Sequence, residues 1–546
     1  MKITLVATAS LVISSVALTA QQPNDSSRAR IDRVFAQYSA KDGPGCSAAT
    51  SLNGKTIFEA GYGSANIESD VPITPASIFH AASVSKQFTA AAVMMLVKEG
   101  KLSLDADIHT YLPELPNYGQ RITLKHLLNH TSGIRDQWDL LGLARGRFEE
   151  NRITEADVLD IVSRQKSLNF VPGTEYLYSN SGYTLAAIVV GRTAGKSLRQ
   201  FADERIFQPL GMTRTHFHDD YTMIVKGRTS AYARRPDGQW RVSIPNFDTY
   251  GATSLFTTVG DLLKWQENFV HPTVGDEAML SAMQTSAVLA NGDTTGYGLG
   301  IATQGDKGGV LVGHSGADAG YRAYTGRYPE HGLAVAVLCN ASTSDPASLA
   351  ARMAEVFIPT LPKPVSAPVA MTPKPSAEEL GKVAGLYLNP TTGNSTFITV
   401  RGSDLIVGRT NGPTLVPIAA RKFWLGNSEW TFEPNGNVVQ RFLGRPPRAP
   451  VTLVKSEIAK PTSAQLAAYV GRYMSDEIGA TYTVAVKDST LSFRTGINEP
   501  WIAQPTYADA FAGQSVVQFT RNASGRVDGL LMSTGRVRRI QFRKLP

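Results

Sequence analysis

Five residues in the last third of the chain recur at one fixed offset, and that repeat restricts what this part of the molecule can become. Pro375, Leu380, Gly385, Tyr387 and Leu405 reappear 86 positions later as Pro461, Leu466, Gly471, Tyr473 and Leu491. Each copy opens with a short helix-like segment, continues through Gly-x-Tyr, and then runs as short strands separated by Gly, Asn, Asp and Pro. The expectation is two similar all-β modules, residues 375–458 and 461–546, each of a size suited to a small barrel or sandwich. Neither copy clusters a Ser, a His and an acid, or spaces residues like metal ligands.

A proline-rich stretch precedes the repeats, from Pro359-Thr360-Leu361-Pro362 to Pro373-Lys374-Pro375. Residues 359–374 read as an extended, semi-rigid linker. The whole chain, 546 residues, is too long for one ordinary domain. The block before the linker, residues 25–358, starts with a helical pattern over Ser27 to Tyr38. A hairpin follows, Ser47 to Ser51 and Thr56 to Gly61, joined through Asn53-Gly54. Gly309 to Gly313, Tyr321 to Tyr328 and Leu333 to Asn340 read as three successive antiparallel strands, and the region between is mainly helical. The order predicts an α/β (α+β) fold in which both ends of the block build one antiparallel sheet, flanked by helices, around an all-helical insertion.

Residues 1–20 read as a signal peptide: Lys2, an uncharged run from Ile3 to Ala17, then small residues at Ala17 and Ala20 before polar Gln21-Gln22. The apolar run is shorter than the roughly 20 residues of a spanning helix, so a stable membrane anchor is not expected and a periplasmic or secreted location is. The two cysteines, Cys46 and Cys339, both lie in strand-like runs and read as small buried hydrophobes; an oxidising compartment would also allow them to pair. From Pro375 onward there are 20 of the 54 basic and 12 of the 46 acidic residues, so the first part is balanced and the excess belongs to the repeats. Nucleic acid is not an expected partner of an exported chain. The basic runs, such as Arg536-Val537-Arg538-Arg539, read as solvated strand faces or as weak attraction to anionic cell-wall material.

Three short segments carry chemistry. In Phe79-His80-Ala81-Ala82-Ser83-Val84-Ser85-Lys86, a helix beginning near Ser83 puts Lys86 one turn away on the same face. A desolvated amine there can take the hydroxyl proton. Tyr178 and Asn180, in Tyr176-Leu177-Tyr178-Ser179-Asn180, follow a Pro172-Gly173 turn. Gly313-His314-Ser315-Gly316-Ala317 joins two strand-like runs, where an edge strand would pair with an extended substrate and offer the Ala317 N–H beside that of Ser83 as an oxyanion donor. Singly each pattern is common; Ser-x-x-Lys is often an N-cap serine beside a surface lysine. No serine lies in Gly-x-Ser-x-Gly, and there is no P-loop or dinucleotide fingerprint. His216-Phe217-His218-Asp219-Asp220 lacks a third ligand at a familiar spacing, so no metal and no cofactor is expected.

Taken together and in order, Ser83-x-x-Lys86, Tyr178-x-Asn180 and His314-x-Gly316 resemble the penicillin-recognising serine hydrolases: class C β-lactamases, DD-carboxypeptidases, D-aminopeptidases and related esterases. Gly100-Lys101-Leu102-Ser103-Leu104-Asp105, Tyr111-Leu112-Pro113 and Leu127-Leu128-Asn129-His130-Thr131-Ser132-Gly133 are also similar to this family. The resemblance implies an acyl-enzyme at Ser83, with Lys86 and Tyr178 sharing base and shuttle work and the first base left open. It further implies that Asn180 orients Lys86 and the substrate amide, Ser315 offers a hydroxyl, and Gly316-Ala317 line the strand. His314 stands where many β-lactamases have Lys, which points away from a dedicated β-lactamase. The two trailing β modules are similar to the D-aminopeptidase arrangement, so the expected substrate is a small amide, an ester or a short D-residue-containing peptide. The alternative is a cell-envelope or peptidoglycan binding protein with a vestigial cleft. Residues 136–172 and 213–253 are expected to shape specificity, with Gly251-Ala252-Thr253-Ser254 as one wall.

Overall fold

The computed structural model describes residues 25–146, 151–306, 309–359, 368–442 and 450–546. The expected signal peptide and residues 360–367 of the expected linker lie outside the described residues.

Six strands form the central sheet: β1 (Cys46–Leu52), β2 (Lys55–Tyr62), β3 (Ala302–Asp306), β4 (Gly309–Asp318), β5 (Tyr321–Tyr328) and β6 (Leu333–Cys339). Their order is β3-β4-β5-β6-β1-β2, and every neighbouring pair is antiparallel. The sheet is thus assembled from both ends of the block. β1 and β2 join through Asn53 and Gly54, both at positive φ (48° and 76°), as a tight Asn-Gly hairpin requires. β3 was not anticipated from the sequence.

Every residue of β1 and β6 is buried, because helices cover both faces. Side chains alternate across the strand. Val335, Val337 and Cys339 therefore meet the helices Asp25–Val34 and Pro346–Phe357, while Ala334, Ala336 and Leu338 join the core that contains Val259–Glu267. The register sets Cys46 directly opposite Cys339, with Cα atoms 4.0 Å apart, and the two sulfurs are bonded. The reading of two separate buried thiols is corrected by this pairing, which depends on a register between strands 293 residues apart.

The helical region fills the chain between β2 and β3. Helices Ser85–Lys98 and Asn180–Ala194 pack together within one apolar core, and Gly195 ends the second in the left-handed conformation.

The repeats form two closed barrels of eight strands, Gly385–Leu388 to Val451–Ser456 and Gly471–Ser475 to Ile540–Lys544. The 86-residue offset has a structural cause in each copy. Ser376 with Glu379, and Thr462 with Gln465, form matching capping boxes on the leading helices. The tyrosine of Gly-x-Tyr donates back to that helix, Tyr387 to the Val383 carbonyl and Tyr473 to the Tyr469 carbonyl, both at 2.7 Å.

The two barrels are used differently. The first has a core of its own, whereas the core of the second is continuous with the N-terminal block. At that junction Arg135 and Glu477 pair at 2.5 Å, with each side chain 1% exposed. Glu477 also accepts from the Lys166 and Gln541 N–H groups, so both oxygens of the buried carboxylate have partners. Removing one partner strands the other charge. We expect Glu477→Ala to lower stability by about 3–5 kcal/mol, read as a drop in apparent Tm. Lys382→Ala, which breaks an exposed pair with Glu378, should change it by no more than about 0.5 kcal/mol.

Candidate active site

Ser83 is presented by a strand-turn-helix junction. Phe79–His80 pairs with Leu255–Thr257, and the chain then passes through a 3-10 turn, Ala82–Val84, into the helix Ser85–Lys98. Ser83 therefore sits in the turn rather than as the first helical residue. Ala82 adopts φ +48°, a conformation that disfavours an L side chain by about 1–2 kcal/mol. Local bonds hold it: the Ala82 N–H donates to His80 Nδ1 (3.1 Å), and Ser85 Oγ donates to the Ala82 carbonyl while accepting from the Leu255 N–H. Burial depresses the His80 imidazole to about 3, so it remains a neutral acceptor.

One turn on, Lys86 has no solvent exposure. Its Nζ donates to Ser83 Oγ (3.0 Å), Asn180 Oδ1 (2.8 Å) and the Ala252 carbonyl (2.7 Å). The rings of Tyr178 and Tyr183 flank it at 4.8 and 5.5 Å. Burial lowers the amine to about 7, against the opposing pull of Asp318 and Asp136. Three acceptors match the three donors of an ammonium. Once neutral, the amine has a lone pair free to face Ser83 Oγ.

The Tyr178 phenol lines the same cleft as Ser83, and burial pushes it up, so it keeps its proton near neutral pH. His130 positions this tyrosine. Its carbonyl accepts from the Leu177 N–H (3.0 Å), its Nδ1 accepts from the Ser179 N–H (3.1 Å), and its ring lies 4.2 Å from that of Tyr178. Asn180 begins the helix Asn180–Ala194; both its backbone N–H (2.6 Å) and its Nδ2 (2.8 Å) donate to Asp136 Oδ2.

The opposite wall is the second half of β4. β3 pairs only with Gly309 to Gly313, so His314 to Asp318 leave one edge open towards the cleft. β4 is consequently an edge strand over half its length only. A Cβ on Gly316 would lie 2.2 Å from the Ala81 carbonyl and 3.0 Å from the Ser83 nitrogen, so the strand passes this turn at glycine distance. The His314 Nε2 and the Tyr297 hydroxyl lie 2.9 Å apart, and burial depresses the imidazole to about 3. Ser83, Tyr178, Asn180 and His314 to Ala317 line a single cleft of about 620 Å³, with Lys86 beneath its floor.

A family model described as Beta-lactamase matches residues 31–357, more than half of the chain. The chain belongs to the beta-lactamase family. Among curated relatives, a D-aminopeptidase of Brucella canis is 25% identical over 526 residues, covering 92% of this chain and 96% of that protein. A D-aminopeptidase of Gluconobacter oxydans is 26% identical over 379 residues, 69% of each. Among solved structures, the octameric penicillin-binding protein homologue from Pyrococcus abyssi superposes with a TM-score of 0.55 at 22% identity, over 86% of this chain and 98% of that one, which shows a common fold. This beta-lactamase-family protein is a serine hydrolase of the β-lactamase/D-aminopeptidase type.

Within this family member, three site features were missed from sequence. His130 lies in a segment noted only for its resemblance. Asp136 was included in a specificity segment, yet it acts as a buried acceptor for Asn180. Arg536, read as part of a solvated strand face, lines the catalytic cleft from the second barrel. Of the segments expected to shape specificity, residues 136–172 contribute Trp138 to the lining and residues 213–253 contribute none; residues 344–347 stand there instead. The Gly251–Ser254 segment contacts Lys86 through Ala252 rather than forming a cleft wall. His216 and His218 pack on the Phe256 ring, at 5.7 and 4.5 Å, outside the cleft.

Two outcomes follow from this geometry. Gly316→Ala should reduce acylation by about two powers of ten or more, since misplacing reacting groups by 1 Å costs that much. Only the neutral form of Lys86 can accept a proton, and that form grows as pH rises. The kcat/KM for any turned-over ester should therefore rise through a limb near pH 7 and level off above it, measured as a pH–rate profile.

Proposed function

We propose that this chain is an exported amidohydrolase that cleaves small amides and short peptides bearing a D-residue through an acyl-enzyme on Ser83. The observation that carries the catalytic part is Lys86 Nζ, 3.0 Å from Ser83 Oγ in a fully buried setting that lowers the amine to about 7. Lys86 accepts the Ser83 proton as Oγ bonds to the substrate carbonyl carbon. The N–H groups of Ser83 and Ala317 receive the oxyanion. The Tyr178 phenol, held protonated by burial, gives its proton to the leaving nitrogen as the C–N bond breaks, and regains one from the Lys86 ammonium. Water then attacks the acyl carbon by the same route in reverse, and Ser83 leaves protonated.

The D-residue preference is supported by relatives named D-aminopeptidases, one of which aligns over 92% of this chain. The neutral His314 points away from a dedicated β-lactamase, since an uncharged imidazole gives no cation to anchor a β-lactam carboxylate. Export is supported by the signal-like residues 1–20 and by the Cys46–Cys339 bond, a linkage that persists in oxidising compartments. The alternative of a retired cleft that only binds envelope material is disfavoured, because ligand binding alone needs no buried amine beside a serine.

A fluorophosphonate probe should label the wild type and leave Ser83→Ala unlabelled; equal labelling of both would end the proposal. Lys86→Ala should acylate more slowly by two to four powers of ten. Of paired D- and L-amino-acid anilides, the D form should turn over faster, and a preference for the L form would contradict the assigned substrate class.

A further inference from the structure

Among the described residues, the second barrel lines the catalytic cleft with one side chain. Arg536 lies on the turn between Val527–Ser533 and Ile540–Lys544. Its backbone is fixed on the catalytic block: its N–H donates to Asp139 Oδ2 (2.8 Å), and its carbonyl accepts from Asn169 Nδ2 (2.9 Å) and the Asp136 N–H (3.4 Å). The Thr534 hydroxyl adds a bond to the same Asp139 carboxylate. From this anchored turn the guanidinium reaches Asp136 Oδ2 at 3.4 Å and Asp139 Oδ1 at 3.5 Å, and its side chain is 34% exposed where it lines the cleft.

We propose that Arg536 is a positioning residue for catalysis: it stabilises the Asp136 carboxylate, which fixes Asn180, which in turn holds the Lys86 amine against Ser83. This rests on the Ser83–Lys86 reading above and extends it to the second barrel. Asp136 has no solvent exposure, and its carboxylate is occupied on both oxygens. Oδ1 caps the helix Gln137–Arg145 through the Trp138 and Asp139 N–H groups, and Oδ2 takes both Asn180 donors. Protonating Oδ2 would replace an acceptor with a donor facing the Asn180 amide. The carboxamide that presents Oδ1 to Lys86 Nζ would then lose its fixed orientation.

Burial and the neighbouring Asp139 raise the Asp136 carboxyl, and Arg536 is the cation that opposes them. The charged groups facing Lys86 are Asp318, Asp136 and Arg536, while His130 and His314 are held neutral by burial. Arg536 in turn faces Asp136, Asp139, Asp318 and Tyr178. With Asp136 ionised, removing the Arg536 charge takes a repelling cation from Lys86, which then binds its proton to higher pH and moves the acid limb of activity upward. The Asp136 carboxyl, without its counter-charge, also ionises at higher pH, and the Asn180 carboxamide is fixed only above that point.

The test is the pH profile of kcat/KM for a short-chain nitrophenyl ester with the full-length protein, comparing wild type, Arg536→Gln, Arg536→Met and Arg536→Lys. The Gln and Met variants should shift the acid limb up by about one pH unit, lowering activity below the limb about tenfold and sparing it near pH 9. Arg536→Lys, which keeps the charge, should leave the limb within about 0.3 unit of wild type. The Met variant retains an apolar stem and so tests the same charge if Gln loosens the turn. An unmoved limb, or an equal loss at every pH, would overturn the proposal by reducing Arg536 to an interface contact. Fluorophosphonate labelling separates this failure from the failure of its basis: loss of label in Ser83→Ala with an unmoved limb rejects only the Arg536 role, whereas a labelled Ser83→Ala rejects both.

Discussion

The amine of Lys86 lies where water does not reach, and its surroundings are arranged around the cost of placing it there. Desolvation disfavours the ammonium, and the Ser83 hydroxyl, the Asn180 carboxamide and the Ala252 carbonyl converge on the nitrogen from three separate parts of the chain. The result is an amine poised near neutrality beside a hydroxyl, in place of a permanently charged side chain. Tyr178 shows the complementary effect. The same burial keeps the phenol protonated, so one environment lowers the amine and raises the phenol beside it.

That arrangement needs rigid support, and the fold supplies it from several directions. The strained turn at Ala82 is held by His80 and Ser85, and the Tyr178 segment is clamped on both sides by His130. β4 approaches the Ser83 turn so closely that only glycine fits at position 316. The second barrel then closes one side of the cleft through Arg536, anchored by the buried Arg135–Glu477 pair and by Arg538 with Glu175. The repeats therefore differ in use although they share a plan: one barrel stands on its own core, and the other is built into the catalytic unit.

Much of this was legible in the residues because it is encoded locally. Ser83 and Lys86 are separated by a helical turn, Asn53-Gly54 specifies its hairpin, and the 86-residue offset repeats a capping box and a tyrosine-to-helix bond. What escaped depends on long-range register. Nothing near Cys46 announces that β6 will return to set Cys339 directly opposite. Asp136 and Arg536 are 400 positions apart, and neither has a local pattern that distinguishes it from an ordinary surface charge. The basic run around Arg536 reads from sequence as a solvated face or a weak attraction to anionic material, because strand alternation predicts exposure to water and not the neighbouring domain that pairs with Arg536 and Arg538.

The most direct measurement is a titration of the Lys86 side chain itself, by NMR of protein carrying isotope-labelled lysine, with the resonance assigned by its absence in a Lys86→Met variant. A midpoint near 7, well separated from the remaining lysines, is the predicted result. A Lys86 resonance titrating with ordinary lysines near 10.4 would mean that the amine is solvated and charged, and the account of this site would be wrong.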